Sequence, residues 1–229
     1  MTPAFEALAD DALLVRLGQT IDPTLNRQAL ALADALREAA PDWLRDVVPA
    51  YASVAVFFDP VAWQDDAHAQ VRRWIESHLD NSARTLRPPA ARVIELPVCY
   101  GGAYGQDLDS AAAELELSPE SLIARHTAGR YTVAMTGFAP GFPYLLGLDA
   151  ALALPRLATP RARVPAGSVA IGGAQTGVYP RESPGGWRLL GRTPLRLFDA
   201  TRATPALLAP GDVVRFVAIS PEQFEASGR

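Results

Sequence analysis

The chain has 229 residues and a formal net charge of −4, and its 21 basic residues are all arginine because the sequence contains no lysine. A folded chain of this length buries about 70% of its unfolded surface, which suffices for one large or two small domains without covalent cross-links. The single cysteine, Cys99, excludes an internal disulfide bond, and no cluster of cysteine and histidine predicts a metal site in this chain.

The same features exclude several classes of partner and of chemistry. No apolar run approaches the ~20 residues of a membrane helix, and the N-terminus is acidic where a signal peptide is basic. The negative net charge gives no basic surface for a nucleic-acid backbone. Without lysine, the chain cannot form a Schiff base, a Walker A phosphate clamp or a serine–lysine amidase centre. We therefore expect a soluble, cytoplasmic protein that binds neither nucleic acid nor membrane.

The composition changes sharply near residue 90, and this change predicts two domains, residues 1–90 and 91–229. The first segment contains one glycine, eight arginines and thirteen acidic residues, which gives a formal charge of −5. The second contains sixteen glycines, thirteen arginines and twelve acidic residues, which gives +1. A segment so rich in glycine needs many turns, whereas a segment almost without glycine favours longer regular elements.

The first segment shows a strand followed by a helix, and then strands followed by another helix. Residues 12–17 predict a strand, and Asp22-Pro23 begins a helix in which apolar residues recur every three or four positions. Apolar residues at 47–48 and 54–58 predict two more strands, and residues 64–81 predict a second amphipathic helix. This order predicts a small α+β layer.

The second segment begins with a predicted strand at 92–98 and a glycine-rich loop. Two short helices follow at 106–117 and 118–126, and a further strand is predicted at 130–137. Beyond this strand no helical period remains, and short strands alternate with glycine and proline turns at 168–171, 187–190 and 213–219. The pattern is typical of a β-barrel or a β-sandwich.

Candidate catalytic residues are few. His68 and His78 share the apolar side of a predicted helix, which indicates partly buried structural residues. His126 lies at the end of a short helix, where it is either held charged by the helix C-terminus or acts as a proton carrier in a cleft. Cys99 ends a predicted strand and has no basic neighbour, so a buried role is favoured over a nucleophilic one.

The segment 137–194 concentrates glycine, proline and polar residues. Glycine lets a ligand approach the main chain, and proline holds a loop in one shape. Arg161 and Arg163 have guanidinium groups that can hold a carboxylate or a phosphate, and Gln175 and Ser183 can orient an amide. The alternative is that these loops only close the barrel.

Long strings within and beyond this segment carry a family resemblance. They read GFAPGFPYLLGL, TPRARVPAGSVAIGGAQTGVYP, ESPGGWRLLGRTPLRLFD and PALLAPGDVVRFV. With shorter similar strings upstream, they resemble the KipI family, also known as the 5-oxoprolinase B subunit or allophanate hydrolase subunit 1 family, over nearly the whole chain. The resemblance implies an α+β fold with a small N-terminal ferredoxin-like domain and a C-terminal cyclophilin-like β-barrel. It does not imply prolyl isomerase activity, because fold and chemistry separate readily.

The resemblance supports three alternative functions. The one that we favour is the B subunit of an ATP-dependent 5-oxoprolinase, which opens 5-oxo-L-proline to L-glutamate together with subunits A and C. ATP is then expected to bind the complex. The alternatives are a binding module that inhibits a histidine kinase, and a part of a carboxyltransferase like that of urea carboxylase.

Residue chemistry within the matching strings leads to a hypothesis for a site shared with the C subunit. His126 would carry a proton, and Arg161 and Arg163 would hold the substrate carboxylate or a phosphate, because developing phosphate charge needs cations around it. Gln175 and Ser183 would orient the amide of the lactam. One wall of the site would be formed by Gly141, Phe142 and Tyr144.

Overall fold

The computed structural model describes residues 3–63, 65–84 and 91–227. The chain divides into two compact units, residues 1–90 and 91–229, at the position where the composition changes. Each unit has its own apolar core. Among the described residues, no helix combines the length and the apolar character needed to cross a membrane.

The N-terminal unit is a four-stranded antiparallel sheet with two helices. Its strands pair in the order β1-β2-β4-β3. The α+β layer predicted from the sequence is confirmed. The elements, in chain order, are β1 (Ala4–Ala9), β2 (Ala12–Arg16), α1 (Pro23–Ala39), β3 (Leu44–Pro49), β4 (Ser53–Phe58), a 3₁₀ turn (Pro60–Ala62) and α2 (Ala67–Arg84). The predicted start of the second helix, residue 64, lies outside the described residues.

The arrangement of this sheet is a permuted form of the ferredoxin-like order. β2, α1 and β3 form a split unit with β4 lying between the two strands, as in ferredoxin-like domains. The outer place beside β2 is taken by β1 from the start of the chain, whereas the last strand takes it in the unpermuted order. The sequence did not predict β1, because five of its six residues are exposed and its apolar residues do not alternate.

Helix α1 forms for reasons that are visible in the sequence. The Asp22 side chain caps the helix by accepting hydrogen bonds from the backbone N–H groups of Thr24 at 2.7 Å and Leu25 at 2.9 Å. Pro23 occupies the first helical position, where its missing N–H is not needed. The helix buries one face in the core of the unit, and that face contains Asn26, Ala29, Leu32, Ala33 and Leu36.

The C-terminal unit is built on a closed barrel of seven strands in the order β10-β7-β6-β13-β5-β12-β9. This confirms the predicted β-barrel and excludes the sandwich alternative. The barrel strands are β5 (Val93–Tyr100), β6 (Tyr131–Thr136), β7 (Pro143–Leu146), β9 (Ser168–Gly172), β10 (Gln175–Val178), β12 (Arg188–Arg192) and β13 (Val213–Ala218). A separate hairpin is formed by β8 (Arg161–Val164) and β11 (Ser183–Gly185).

Three helices and a 3₁₀ turn accompany the barrel. They are α3 (Leu108–Glu114), α4 (Pro119–Ala128), a 3₁₀ turn (Ala150–Leu152) and α5 (Pro221–Ser227). Helix α3 is shorter at both ends than the predicted 106–117. At its C-terminal end the reason is Glu116, whose φ of +54° lies in the left-handed region, which a helix cannot include. Helix α4 begins as predicted, with the Ser118 hydroxyl accepting a hydrogen bond from the backbone N–H of Ser121 at 3.1 Å.

Leu36→Ala tests the contribution of α1 to the core of the N-terminal unit. We expect this substitution to lower the free energy of unfolding by about 2–5 kcal/mol, because it leaves a cavity where a fully buried side chain stood. Three of the four tryptophans of the chain lie in this unit, so chemical denaturation followed by fluorescence reports on it. Glu38→Ala, at an exposed position of the same helix, is the matched control. Equal losses in the two variants would contradict the assigned burial.

Candidate functional site

Four aromatic side chains pack together against the outside of the barrel, and we call them the aromatic face: Phe142, Tyr144, Tyr179 and Trp187. The ring of Phe142 lies at their centre, with centroid distances of 4.9 Å to Tyr144, 5.2 Å to Tyr179 and 5.7 Å to Trp187. The rings meet edge to face or tilted, which is the geometry that favours aromatic pairs. Tyr144 is half-buried, so the face is accessible at its position.

Glycines in the underlying strands allow these rings to lie flat on the sheet. A Cβ at Gly172 would stand 2.6 Å from the indole of Trp187, and a Cβ at Gly177 would stand 2.8 Å from the carbonyl oxygen of Pro143. Both separations are shorter than real Cβ contacts. The glycine-rich string around β9 and β10 therefore has a packing reason, which is to seat the aromatic face.

A tight turn at residues 137–141 adjoins the aromatic face. Phe138 has a φ of +67°, which is unfavourable for a bulky side chain, and 62% of the residue is exposed. Its ring lies 5.4 Å from that of Phe142. Gly141 has a φ of +79°, and a Cβ there would stand 2.8 Å from the Cβ of Phe198. The turn and Thr136 line a shallow depression of about 270 Å³.

Four of the expected site residues lie on this side of the barrel. Phe142 and Tyr144 belong to the aromatic face, and Gly141 lies in the adjoining turn. Gln175 pairs with Gly172 at the start of β10, and alternation along the strand places its side chain on the outer side with Gly177. The structure thus brings together the wall predicted from the sequence and one of the two amide-orienting residues.

Arg161 and Arg163 are already paired with carboxylates. Nη2 of Arg161 donates to Oδ1 of the buried Asp107 at 2.5 Å, while Oδ2 of Asp107 accepts the backbone N–H of Leu189 at 2.7 Å. Nη1 of Arg161 is buried with no hydrogen-bond partner among the described residues. The side chain of Arg163 is 83% exposed and lies 3.8 Å from Glu182. The charges that were expected to hold the substrate are therefore largely neutralised within the chain.

Ser183 lies on the β8–β11 hairpin, where it pairs with Val164. Its hydroxyl is 3.5 Å from the carbonyl oxygen of Arg181, a long contact within its own turn. No ring of the aromatic face shares a hydrogen bond with Ser183 in the described chain. Its expected role in orienting an amide therefore remains a prediction.

His126 is fully buried among residues of the barrel interior. Its ring stacks on Phe216 with a centroid distance of 4.6 Å, and Tyr100 Oη lies 2.8 Å from Nδ1. Nε2 lies 3.1 Å from Thr176 Oγ1, whose own proton is donated to the carbonyl of Ala170 at 3.0 Å. Thr176 must therefore accept from His126, which places the ring proton on Nε2 and leaves Nδ1 to accept from Tyr100.

Burial lowers the pKa of His126 from 6.5 to about 3, so the imidazole is neutral at pH 7. This corrects the alternative in which the helix C-terminus holds the ring charged, because desolvation outweighs the helix-end effect in the barrel interior. His126 shares no hydrogen bond or ion pair with Arg161, Arg163 or Gln175 within the described ranges. The geometry fits a structural role for His126 and does not place it at the aromatic face.

Sequence reasoning missed three residues of this region. Trp187 and Tyr179 stood in the quoted strings, but nothing in their spacing distinguishes an outer aromatic cluster from a second core. Arg156 lies over the indole of Trp187, with its guanidinium carbon 5.6 Å from the ring centroid. Its signal is weak in sequence, because Arg156 stands in a stretch between strands and outside every regular element.

Comparisons with known proteins place the chain among relatives. Residues 3–208 match the family described as carboxyltransferase domain, subdomain C and D. The chain is 40% identical to a 5-oxoprolinase B subunit of Bacillus subtilis (strain 168), an alignment that covers 96% of this chain and 95% of that protein. It is 47% identical to a 5-oxoprolinase B subunit of Escherichia coli O157:H7 over 75% of this chain and 77% of that protein.

Solved structures share the fold. The crystal structure of TTHA0988 superposes with a TM-score of 0.79 at 41% identity, covering 92% of this chain but only 40% of that one. The chain thus spans less than half the length of this solved relative. The urea carboxylase of Kluyveromyces lactis superposes with a TM-score of 0.73 at 18% identity, over 98% of this chain and 22% of that one. At that identity the likeness concerns the fold alone.

His126 makes the stability of the chain depend on pH. Below pH 6.5 the unfolded chain binds a proton that the folded chain does not bind until its pKa of about 3, so stability falls as the pH falls through this window. The expected slope is about 1.4 kcal/mol per pH unit within the window and zero above it. His126→Gln should remove this slope when denaturation midpoints at neutral pH and at about pH 5 are compared.

His68→Gln provides the matched control for this measurement. His68 is half-buried in the N-terminal unit, where Nε2 lies 2.9 Å from the carbonyl oxygen of Ala9. This variant should keep the slope that His126 produces. If His126→Gln and the parent chain lost stability equally between the two pH values, His126 would not be the buried neutral group described above.

Proposed function

Because the chain belongs to the family of 5-oxoprolinase B subunits, with the carboxyltransferase C and D subdomain, we propose that it is the B subunit of a 5-oxoprolinase. The complex would use ATP to open the lactam ring of 5-oxo-L-proline and release L-glutamate. The observation that carries this proposal is the near full-length identity with a protein that is named as this subunit of 5-oxoprolinase. The chain acts in this proposal as a non-autonomous part of the enzyme.

The chemistry explains why one subunit is not enough. A lactam is a poor electrophile, and transferring a phosphoryl group to its carbonyl oxygen would activate it toward water. The depression at residues 136–141 has no charged lining residue, and a second depression, in the N-terminal unit, has one cation, Arg16, that is paired with Glu6. These residues do not fit a triphosphate, so we assign ATP binding to the partner subunits and no phosphoryl step to this chain.

The contribution of this chain would be to hold the substrate. The aromatic face offers flat apolar surfaces for a five-membered ring, and Gln175 offers an amide that can donate to and accept from the lactam. The turn containing Gly141 would close one side. Arg161 and Arg163, being paired with Asp107 and Glu182, are poorly suited to hold a substrate carboxylate unless a partner separates those pairs.

We propose that subunits A and C are the partners and that the second of these completes the aromatic face. Two observations support partners in general: the relatives are named as subunits, and in TTHA0988 this module is part of a much longer chain. A shallow, open face is also what a shared site leaves on one subunit, because the second wall comes from the other.

A second candidate is part of a biotin-dependent carboxyltransferase. The name of the matching family favours it, whereas the likeness to urea carboxylase concerns the fold alone. Exchange of a carboxyl group that depends on biotin, in a reconstituted mixture, would support this candidate. For inhibition of a histidine kinase, the third function implied by the sequence, no feature of the described chain gives specific support.

Reconstitution tests the proposed function. The purified chain alone should release negligible glutamate from 5-oxoproline and ATP, and activity should appear when subunits A and C are added. Glutamate release, measured by a coupled glutamate dehydrogenase assay, is the readout. Substantial activity of the isolated chain would contradict the shared site, and no activity in any mixture of the three subunits would contradict the proposed function.

Gln175→Leu tests the amide contact within the active complex. Loss of one or two hydrogen bonds between neutral groups should lower kcat/KM by roughly 2- to 12-fold for each bond. Gln19→Leu removes the same type of side chain at an exposed position of the N-terminal unit and should leave kcat/KM unchanged. Equal activity of Gln175→Leu and the parent complex would remove Gln175 from the substrate site.

A further inference from the structure

Arg156 is an exposed cation at the aromatic face with no carboxylate within ion-pair distance among the described residues. Its guanidinium lies over the indole of Trp187. Three other arginines of the same unit that are near the face or its hairpin already have acidic partners. Their pairs are Arg161 with Asp107, Arg163 with Glu182, and Arg188 with Glu114. Arg156 therefore retains an uncompensated charge where the ring of a ligand would lie.

The main chain on both sides of Arg156 is tied to the strands that carry the aromatic face. The carbonyl oxygen of Pro155 accepts a hydrogen bond from Nε of Arg188 at 3.2 Å, and the N–H of Leu157 donates to the carbonyl oxygen of Gly186 at 2.7 Å. Anchors on either side fix where the side chain of Arg156 begins. A guanidinium held in this way loses less conformational entropy when it binds an anion.

The same anchoring brings Arg156 close in the fold to Gln175. Leu154 forms an isolated bridge with Gly173, in which the N–H of Gly173 donates to the carbonyl oxygen of Leu154 at 2.7 Å. Gly173 stands two residues before Gln175 in the turn between β9 and β10. A cation, an amide and an aromatic surface therefore converge at one edge of the barrel.

The charge of Arg156 is felt across the aromatic face. Burial raises the pKa of both Tyr144 and Tyr179, and the positive charge of Arg156 partly offsets the rise at each phenol. The offset reflects a positive potential over a surface that is otherwise apolar. Such a surface favours a ligand that is flat and apolar on its ring and negatively charged at one end.

We propose that Arg156 binds the carboxylate of a small cyclic amino-acid derivative whose ring lies on the aromatic face and whose amide meets Gln175. This inference rests on the proposed function, and it names the residue that selects 5-oxoproline over a neutral lactam. The role expected for Arg161 and Arg163 passes to Arg156, because Arg156 has no carboxylate partner within the chain described. Arg156 is a substrate-binding residue in this proposal and takes no part in bond breaking.

Kinetics of the assembled complex test the proposal. Arg156→Gln should raise KM for 5-oxoproline by about 10- to 100-fold, as expected for the loss of a charge-assisted contact, with a smaller change in kcat. Arg156→Lys should lie between Arg156→Gln and the parent, because it keeps the charge but not the planar fork. Arg181→Gln removes an exposed arginine elsewhere in the same unit and should leave KM unchanged. A KM for Arg156→Gln within about twofold of the parent, in an active complex, would overturn the inference.

Ligand binding provides a readout that does not depend on turnover. Trp187 is the one tryptophan after residue 90, so in chain labelled with 5-fluorotryptophan its ¹⁹F signal can be assigned with Trp187→Phe. In the complex, this signal should shift with 5-oxoproline and with glutamate, which share the α-carboxylate, and not with 2-pyrrolidinone at the same concentration. Arg156→Gln should abolish the shift.

The two readouts separate the failure of the inference from the failure of the proposed function. A parent complex without oxoprolinase activity contradicts the proposed function, and the inference is then judged on the ¹⁹F signal alone. A shift with 5-oxoproline that needs Arg156 would support the carboxylate site even then. No shift in the parent, or an equal shift with 2-pyrrolidinone, would overturn the inference.

Discussion

Strand β10 imposes the constraint on which the C-terminal unit depends, because its four residues serve two environments at once. Thr176 points into the barrel and is fixed by His126, while Gly177 on the next position faces outward and makes room for the ring of Phe142. A slip of one residue would reverse both faces, placing an amide opposite His126 and a hydroxyl under the rings. The interior hydrogen bonds thus set the register that exposes the site residues, which links a buried polar network to recognition on the opposite surface.

Charge pairing decides which arginines remain available in a chain that has no lysine. Arginine is always protonated and forms strong two-pronged contacts with carboxylates, so each intramolecular pair removes a candidate ligand for an anionic substrate. Asp107 is buried and holds Arg161 together with a backbone N–H, which makes that arginine part of the framework. An arginine stacked on an aromatic ring keeps its hydrogen-bonding groups free at the edge of the guanidinium, and this distinguishes Arg156 from the paired arginines.

The sequence predicted the elements and missed the contacts, and particular residues show why. The cap at Asp22-Pro23 and the spacing of apolar residues predicted α1, because capping and periodicity are local properties. The exposed strand β1 carries no such pattern, since its stability comes from hydrogen bonds to β2 and not from its own burial. In the site, Phe142, Tyr144 and Gln175 were found from the glycine-rich strings. The partners of Arg161, Arg163 and His126 depend on residues between 19 and 54 positions away, and no pattern in one sequence reveals those pairings.

The permuted order of the N-terminal sheet gives the first residues of the chain a protective task. β1 covers one long side of β2, and the hairpin is closed by a two-carboxylate corner at Asp10-Asp11 that discourages further strand addition. Shortening the chain to begin after this hairpin would uncover β2, a largely apolar strand with unpaired backbone donors and acceptors. Such an uncovered strand is a template for association with other chains, so the opening decapeptide, dispensable by burial alone, guards the solubility of the whole sheet.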